Sequence, residues 1–573
     1  MTAAAVGTFA ALLILVILIT KPLGLYMARV YEGERTLLSP VLRPVEGLIF
    51  RACRVDPDED QHWSVYAISV ALFGFLCTLF LFIIFRLQGH LPLNPQDVDS
   101  LSAPLAFNMA LSFTGPTNWQ AVSPEANISH LSQLAGIAVQ NFVAAAMGMS
   151  IAIALIRGLT RRGASGIGNF WADSLRAFLY ILLPVAALIA LFFLWQGAPQ
   201  NLRAAIDVTT LEGAAQSIAL GPVASQEAIK IFGTNGGGFF NANSGHPFEN
   251  PTHWTNFAQM VAMLSIPAAF TYAFGRYAGE SRKGWALLIV MVVLFVAGMA
   301  ITQVAEQGGN PTLDAASVAQ EATSSQAGGN MEGKETRFGI AQSSAFANAS
   351  VASSTGATSS AMSSLMPLSA MVALFYMITG QAIFGGTGVG LVSMLIFALT
   401  AVFVGGLMVG RTPEYLGKKL APFEMKMLMV SMLALAVTIL LFTGIAAAYG
   451  GAVQSVQNPG PHGFTEIFFA YSSAGANNGA GFSGLNSNTD FYNYTIGVGI
   501  FAGRYLVLIP MLALAGSMAR KERIPPSLGT LPADGPLFII LMIGIILVLG
   551  ALSFFPALAL GPIAEHLFLF PST

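Results

Sequence analysis

Charge is what this chain has least of. Only 9% of its 573 residues are Asp, Glu, Lys or Arg, against about 25% in soluble domains. With 54% hydrophobic residues and a mean hydropathy of +0.67, this excludes a water-soluble fold and points to an integral membrane protein surrounded by lipid. The net charge of −2 supplies no basic field, so no nucleic-acid partner is expected. Two cysteines, Cys53 and Cys77, are too few for a disulfide framework or a thiolate metal site. The sequence has no P-loop, no HExxH and no DKTGT-type phosphorylation string, so no ATP-hydrolysing chemistry is expected of it.

What the chain has in abundance is apolar runs near the length of about 20 residues that a spanning helix needs. They fall near 4–27, 64–86, 130–156, 170–195, 254–275, 284–304, 366–410, 424–449, 492–519 and 535–560, ten in all. The first has its basic flank after it, at Lys21 and Arg29, and no small-residue cleavage site, so it reads as a retained helix rather than a signal peptide. The seventh is about twice the needed length and carries Gly380, Gly385, Gly386, Gly388 and Gly390 at its centre, which predicts one helix broken in the middle. Nineteen of the 26 basic residues collect in alternate connections, from Lys21–Arg54 to Arg520–Arg523. Those connections are expected in the cytoplasm and both termini outside.

A polar tract recurs between these runs. It reads PTNWQ (Pro116–Gln120), TNGGGF (Thr234–Phe239), STGAT (Ser354–Thr358) and NNGAGF (Asn477–Phe482). With Asn118, Gly236, Gly356 and Gly479 taken as equivalent, the steps are 118, 120 and 123 residues, a period that means repeated architecture. Before each tract lies a segment too short to span: 105–113, 225–232, 339–350 and 465–473. The expected unit is helix, half-helix, pore loop, helix. It gives an all-α polytopic membrane protein with four pseudo-repeats around a central pore. The chain divides into a first helix and connection (1–63), repeats at 64–165, 166–282, 283–420 and 421–523, and a last helix with an external C-terminus (524–573).

Irregular polar backbone at membrane depth is tolerated only inside protein or along an aqueous path. Half-helices aiming their C-termini at the membrane centre place partial negative charge there, which favours a cation. Backbone carbonyls can replace the water shell of such an ion, and glycine lets successive carbonyls point inward. The hydroxyls of Thr117, Thr234 and Ser354 are candidates for additional oxygens. No acidic residue lies in any tract, whereas divalent cations recruit carboxylates. The expected ion is therefore monovalent and large, most simply K⁺. The tracts are unequal, Trp119 and Gln120 standing where others have glycine, so an asymmetric ring suited to capture is expected.

Arg504 lies well inside the ninth run; an intramembrane arginine is expected to be functional with a partner in the protein, and this one is expected to face the ion exit route or a partner subunit. His246 and His253, with Glu249 between them, are read as capping the next helix at the outer surface, and Lys230 as an external charge partner of Glu227. Residues 306–330 are read as a flexible external loop and 331–364 as ordered.

GTNGGGFFNANSGHPFENPT (Gly233–Thr252), NMEGKETRFG (Asn330–Gly339), GRTPEYLGKK (Gly410–Lys419) and GANNGAGFSG (Gly475–Gly484) resemble the potassium-binding, channel-like subunit of Kdp-type potassium-transporting ATPases. The resemblance spans nearly the whole chain. It implies K⁺ as the transported ion with no organic cofactor, a bacterial inner membrane, an ATP-hydrolysing P-type ATPase partner and small single-span accessory subunits. By position it implies a K⁺ filter at Thr117, Asn118, Thr234, Asn235, Gly236, Ser354, Thr355, Gly356, Asn477, Asn478 and Gly479. It makes Gly385, Gly386, Gly388 and Gly390 part of a loop blocking conduction beneath the filter, and Arg411 part of a cytoplasmic-side gate. Pro116, Thr355 and Gln381 depart from residues expected in relatives, Gln381 standing where some carry an acidic residue. A stand-alone K⁺ channel or ion-coupled symporter of the same four-repeat fold is the alternative.

Overall fold

A computed structural model describes residues 3–323, 326, 328–408, 410, 412–525 and 531–571. Among them, ten helices are long and apolar enough to cross a membrane: Ala5–Tyr31, Trp63–His90, Ser132–Thr160, Phe170–Gln196, His253–Tyr277, Ser281–Ala315, Val389–Met408, Pro422–Ala448, Asp490–Arg520 and Pro536–Leu569. Burial sorts them. Ser132–Thr160, His253–Tyr277, Val389–Met408 and Asp490–Arg520 have 61 to 89% of their apolar windows buried. These are the inner helices of the four repeats. Their partners Trp63–His90, Phe170–Gln196, Ser281–Ala315 and Pro422–Ala448 are 28 to 56% buried and form the outer layer. A helix apolar all round suits either place, because lipid and protein interior are both apolar. Close approach separates the two. Gly158 of the first inner helix, for instance, leaves no room for a β-carbon against the Ala515 backbone of the fourth.

Each repeat carries a half-helix between its outer and inner helices: Ala103–Thr114, Val223–Phe232, Gly339–Ala352 and Gly460–Ala476. These extend the predicted segments by a few residues at either end. The third inner helix is broken, as its glycines foretold. Pro367–Ile378 ends at Thr379, residues 379–388 cross as irregular backbone, and Val389–Met408 resumes. The break folds tightly on itself. A side chain on Gly390 would collide with the Phe384 carbonyl, and one on Gly388, at φ +81°, would stand 2.5 Å from the Gly148 carbonyl of the first inner helix.

Two small hairpins decorate the all-α frame. Ala205–Thr209 pairs with Ala215–Ala219, and Glu414–Tyr415 with Lys418–Lys419. The 306–330 segment is more tied down than its composition implied. Asn310–Ala315 starts a capped helical turn, and Glu306 is fully buried, holding Lys334 at 2.8 Å, Asn330 Nδ2 at 2.9 Å and the Met366 amide at 2.8 Å. Arg411 lies outside the described residues.

Candidate ion site

The four loops are built alike. Each half-helix is followed by one residue in left-handed backbone: Pro116, Thr234 (φ 49°), Ser354 (φ 57°) and Asn477 (φ 57°). For a β-branched threonine that conformation is unfavourable and marks a position held by its surroundings. The next amide then turns back onto the half-helix five residues earlier. Thr117 N donates to Ser112 O, Asn235 N to Lys230 O, Thr355 N to Ser350 O and Asn478 N to Ser473 O, all at 2.8 to 3.0 Å. This shared bond fixes the register of the four tracts independently of their residue types.

At that register the carbonyls converge. A β-carbon on Gly236 would lie 2.7 Å from Thr355 O, 3.1 Å from Thr117 O and 3.3 Å from Asn478 O. Asn235 occupies the fourth corner by register. β-Carbons on Gly356 and Gly479 would overlap the carbonyls of Asn478 and Thr117 respectively. Glycine at these positions is therefore a matter of space as well as φ. In the first repeat Asn118 stands in the glycine register, and it uses its side chain: Nδ2 donates at 2.6 Å to both Gly236 O and Asn141 Oδ1. One carbonyl next to the ring, Gly236 O, is thus engaged by protein, which makes the four loops unequal.

The hydroxyls of the loops also bond to the frame. Thr234 Oγ1 accepts from Thr387 N at 2.8 Å, Ser354 Oγ donates to Asn477 O at 2.9 Å, and Thr355 Oγ1 pairs with Ser353 Oγ at 2.7 Å. Asn235 and Asn478 turn their amides outward, to Asn141 O (2.9 Å) and Val351 O (3.2 Å). Asn477 donates to Ala474 O and Ile500 O. Side chains hold the loops, and backbone oxygens face the axis.

On one side of the ring opens a cavity of about 700 Å³, lined by Asn118, Gln120, Gly237, Gly356 and Gly479 among others. On the other is a space of about 20 Å³ between Thr234, Ser354, Gln381, Gly386, Asn477 and Arg504. Gly386 thus sits directly under the second and third loops, and Gly385 N is bonded to Ala352 O at the end of the third half-helix. Neither amide atom of buried Gln381 has a partner. Arg504 is 2% exposed; its one hydrogen bond is Nη2 to Ala144 O at 3.4 Å, and Nε has none. The protein partner expected for this cation is therefore a single carbonyl, with no ion pair among the described residues. Beside Arg504 an apolar cavity of about 160 Å³ runs between the helix break, the fourth outer helix and the last helix, past Ser393, Met432, Leu435 and Phe554.

Lys230 corrects its reading as external. It is fully buried, 2.5 Å from Glu227, 2.9 Å from Glu249 and 2.8 Å from Asn243 Oδ1. Glu249 Oε1 in turn accepts from Phe240 N at 2.8 Å, so the ion cluster braces the second loop from behind. The histidines do not cap the next helix. Thr252 and Thr255 form its capping box, and His246 stacks on Phe240 at 3.6 Å. The signal for the cluster lay in Glu249, 19 residues beyond Lys230 and across the loop, a distance that helical spacing does not connect.

A four-repeat pore-loop membrane protein is the class this fold and site define. Its backbone is similar to the crystal structure of the potassium transporter TrkH from Vibrio parahaemolyticus, with a TM-score of 0.52 over 89% of this chain and 98% of that one; at 15% identity the likeness is one of fold. Sequence similarity goes further. Residues 10–567 match the KdpA family, potassium-transporting ATPase A subunit. The chain is 52% identical over 550 residues to the potassium-transporting ATPase potassium-binding subunit of Mesorhizobium japonicum, covering 96% of each. It is 53% identical over 553 residues to that of Brucella anthropi, again covering 96% of each. The chain belongs to the KdpA family.

Proposed function

We propose that this chain captures K⁺ from outside the bacterial inner membrane and hands it to a separate P-type ATPase subunit for ATP-driven import, within a complex that includes small single-span subunits. One observation carries the reading: the Thr117, Thr355 and Asn478 carbonyls of three loops converge on Gly236 of the remaining loop, with no carboxylate in any of the four. Neutral oxygens around a desolvated site suit a monovalent ion of low hydration cost. The filter is formed by Thr117, Asn118, Thr234–Gly236, Ser354–Gly356 and Asn477–Gly479. Both termini face outside, as does the large mouth.

Below the ring the ion does not continue straight through. The loop 379–388, with Gly385, Gly386 and Gly388, and Gly390 just beyond it, closes the axis, and the apolar cavity beside Arg504 offers a sideways route between the fourth outer helix and the last helix. Arg504 repels an ion entering the inner space, which favours one ion at a time and lateral release toward the partner.

The test is ATPase activity of the complex that copurifies with this chain, with and without micromolar K⁺. K⁺-stimulated hydrolysis is expected. A folded preparation with no ATPase partner, but with K⁺-selective flux in liposomes, would replace this reading by a stand-alone channel or symporter.

A further inference from the structure

The hairpin Glu414–Lys419 follows the third inner helix at the basic, cytoplasmic end of the bundle. Two of its side chains are buried, and each reaches a different inner helix. Tyr415, 1% exposed, lies parallel to the Phe274 ring of the second inner helix, centroids 6.4 Å apart. Lys418 is fully buried and forms no ion pair among the described residues. Its ammonium donates to three backbone carbonyls instead: Gly158 O at 3.1 Å, Met518 O at 2.6 Å and Arg161 O. Gly158 and Arg161 end the first inner helix; Met518 lies in the last turn of the fourth.

A lysine buried without a carboxylate is uncommon, because a desolvated charge needs compensation. Two helix C-termini supply it here. Their last carbonyls lack intrahelical donors and carry the negative ends of the helix dipoles. Burial lowers the Lys418 pKa to about 8, with Arg523 the next cause, and the group keeps its proton at neutral pH. Gly158 also packs on the backbone of Ala515, about one turn before Met518, where a β-carbon would come within 2.5 Å of the Ala515 carbonyl. Gly417 O accepts from Ile524 N at 2.7 Å, and Lys419 O from Lys521 Nζ at 2.8 Å, tying the hairpin to the chain beyond the fourth helix.

We propose that Lys418 is a tethered cation that occupies a carbonyl site between the first and fourth inner helices and seals the cytoplasmic end of the pore. The hairpin of the third repeat thereby links all four inner helices. The seal is separate from the loop under the ring: it stops the helix ends from parting and leaves the sideways route as the exit. Without the ammonium, three carbonyls converge and only Met518 O keeps a donor, Lys521 N at 3.2 Å, so they repel one another and admit water or a free monovalent ion. This rests on the reading of the chain as a K⁺-delivering subunit.

The experiment uses the full complex in liposomes, with Cys53 and Cys77 replaced by serine. Lys418→Cys is expected to raise ATP-independent rubidium flux at least about tenfold, the effect of leaving buried carbonyls unpaired, while K⁺-stimulated ATP hydrolysis persists. Alkylating that cysteine with 2-bromoethylamine forms a thioether, expels bromide and rebuilds a lysine-like ammonium; it is expected to restore the tight state. A folded variant that does not leak, or a leak that aminoethylation leaves unchanged, overturns the proposal. If the variant does not assemble, amine labelling of the unmodified complex decides. Lys418 is expected to stay unreactive while exposed Lys419 reacts, and equal labelling of the two overturns the proposal. Loss of K⁺-stimulated hydrolysis in the unmodified complex would instead count against the delivery reading itself.

Discussion

On the mouth side of the ring, about 700 Å³ of open space adjoins loops whose supporting groups are bonded to one another: Lys230 to Glu227 and Glu249, Glu249 to the Phe240 amide, Asn118 to Gly236 O. On the inner side, about 20 Å³ adjoins groups left without partners, both amide atoms of Gln381 and Nε of Arg504. That volume is just above the 10–15 Å³ or so that a single water needs. The mouth side also has unpartnered buried oxygens, Asn118 Oδ1 and Asn235 Oδ1 among them, but its loops are braced by bonded groups, and a bonded polar network holds one geometry; no such brace surrounds Gln381 and Arg504 among the described residues. On the proposed reading, the difference separates two tasks, selecting an ion and letting go of it. The two sides therefore respond differently to substitution.

The largest effect is expected from breaking the frame on the mouth side. Lys230→Met leaves Glu227 and Glu249 buried together without a cation, which costs about 3–5 kcal/mol. Thermal unfolding of the purified complex should show it as a much lower melting temperature. An unchanged melt would mean that the cluster does not brace the second loop. Gly236→Asp comes next. Its side chain would start 2.7 Å from Thr355 O and place a carboxylate among carbonyls. The apparent K⁺ affinity of K⁺-stimulated ATP hydrolysis should fall at least about 100-fold, equivalent to about 2.7 kcal/mol. Intact affinity and intact Na⁺ rejection would remove Gly236 from the filter.

A smaller effect, of a different kind, is expected on the inner side. Arg504→Ala removes the cation beneath the ring without touching a loop. Maximal ATP-driven uptake should drop about tenfold, equivalent to about 1.4 kcal/mol, with no loss of apparent K⁺ affinity, because release and not capture is impaired. If affinity and maximal rate fell together, Arg504 would belong to the selecting side and the contrast between the two regions would fail.

The mouth side was the more legible in the sequence, for a physical reason. Gly, Asn and Thr between apolar runs are visible as composition, and the shared register bond from Thr117, Asn235, Thr355 and Asn478 spans only five residues. The half-helices and the glycine break at 380–390 are local in the same sense. What escaped reading depends on contacts between distant segments. Lys230 looks external until Glu249 is brought against it, and the Lys418 seat joins carbonyls 260 and 100 residues away. Arg504 stood out as a charge in an apolar run, but its lack of an acidic partner is a property of packing. The bonds of the Thr234 and Ser354 hydroxyls to Thr387 N and Asn477 O likewise join distant segments and could not be read from residue type.

Asn118 gives the finest test of the contrast, because it lies in the ring yet departs from the glycines of the other three loops. Its amide donates to Gly236 O at 2.6 Å, so on the proposed reading that carbonyl, next to the ring, is held back from the ion by protein. Asn118→Gly would free the oxygen and also remove a strut between the first and second loops. The two consequences oppose each other in affinity: one oxygen is gained, and one hydrogen bond worth about 1 kcal/mol is lost from the frame. They agree in selectivity, since a freer carbonyl on a looser loop can move in toward a smaller ion. Apparent K⁺ affinity should therefore stay within about fivefold, while Na⁺ stimulates hydrolysis more than in the unchanged protein. If Na⁺ rejection were unaffected, the rigidity of the mouth-side frame would not be what selects the ion, and carbonyl number alone would have to do so.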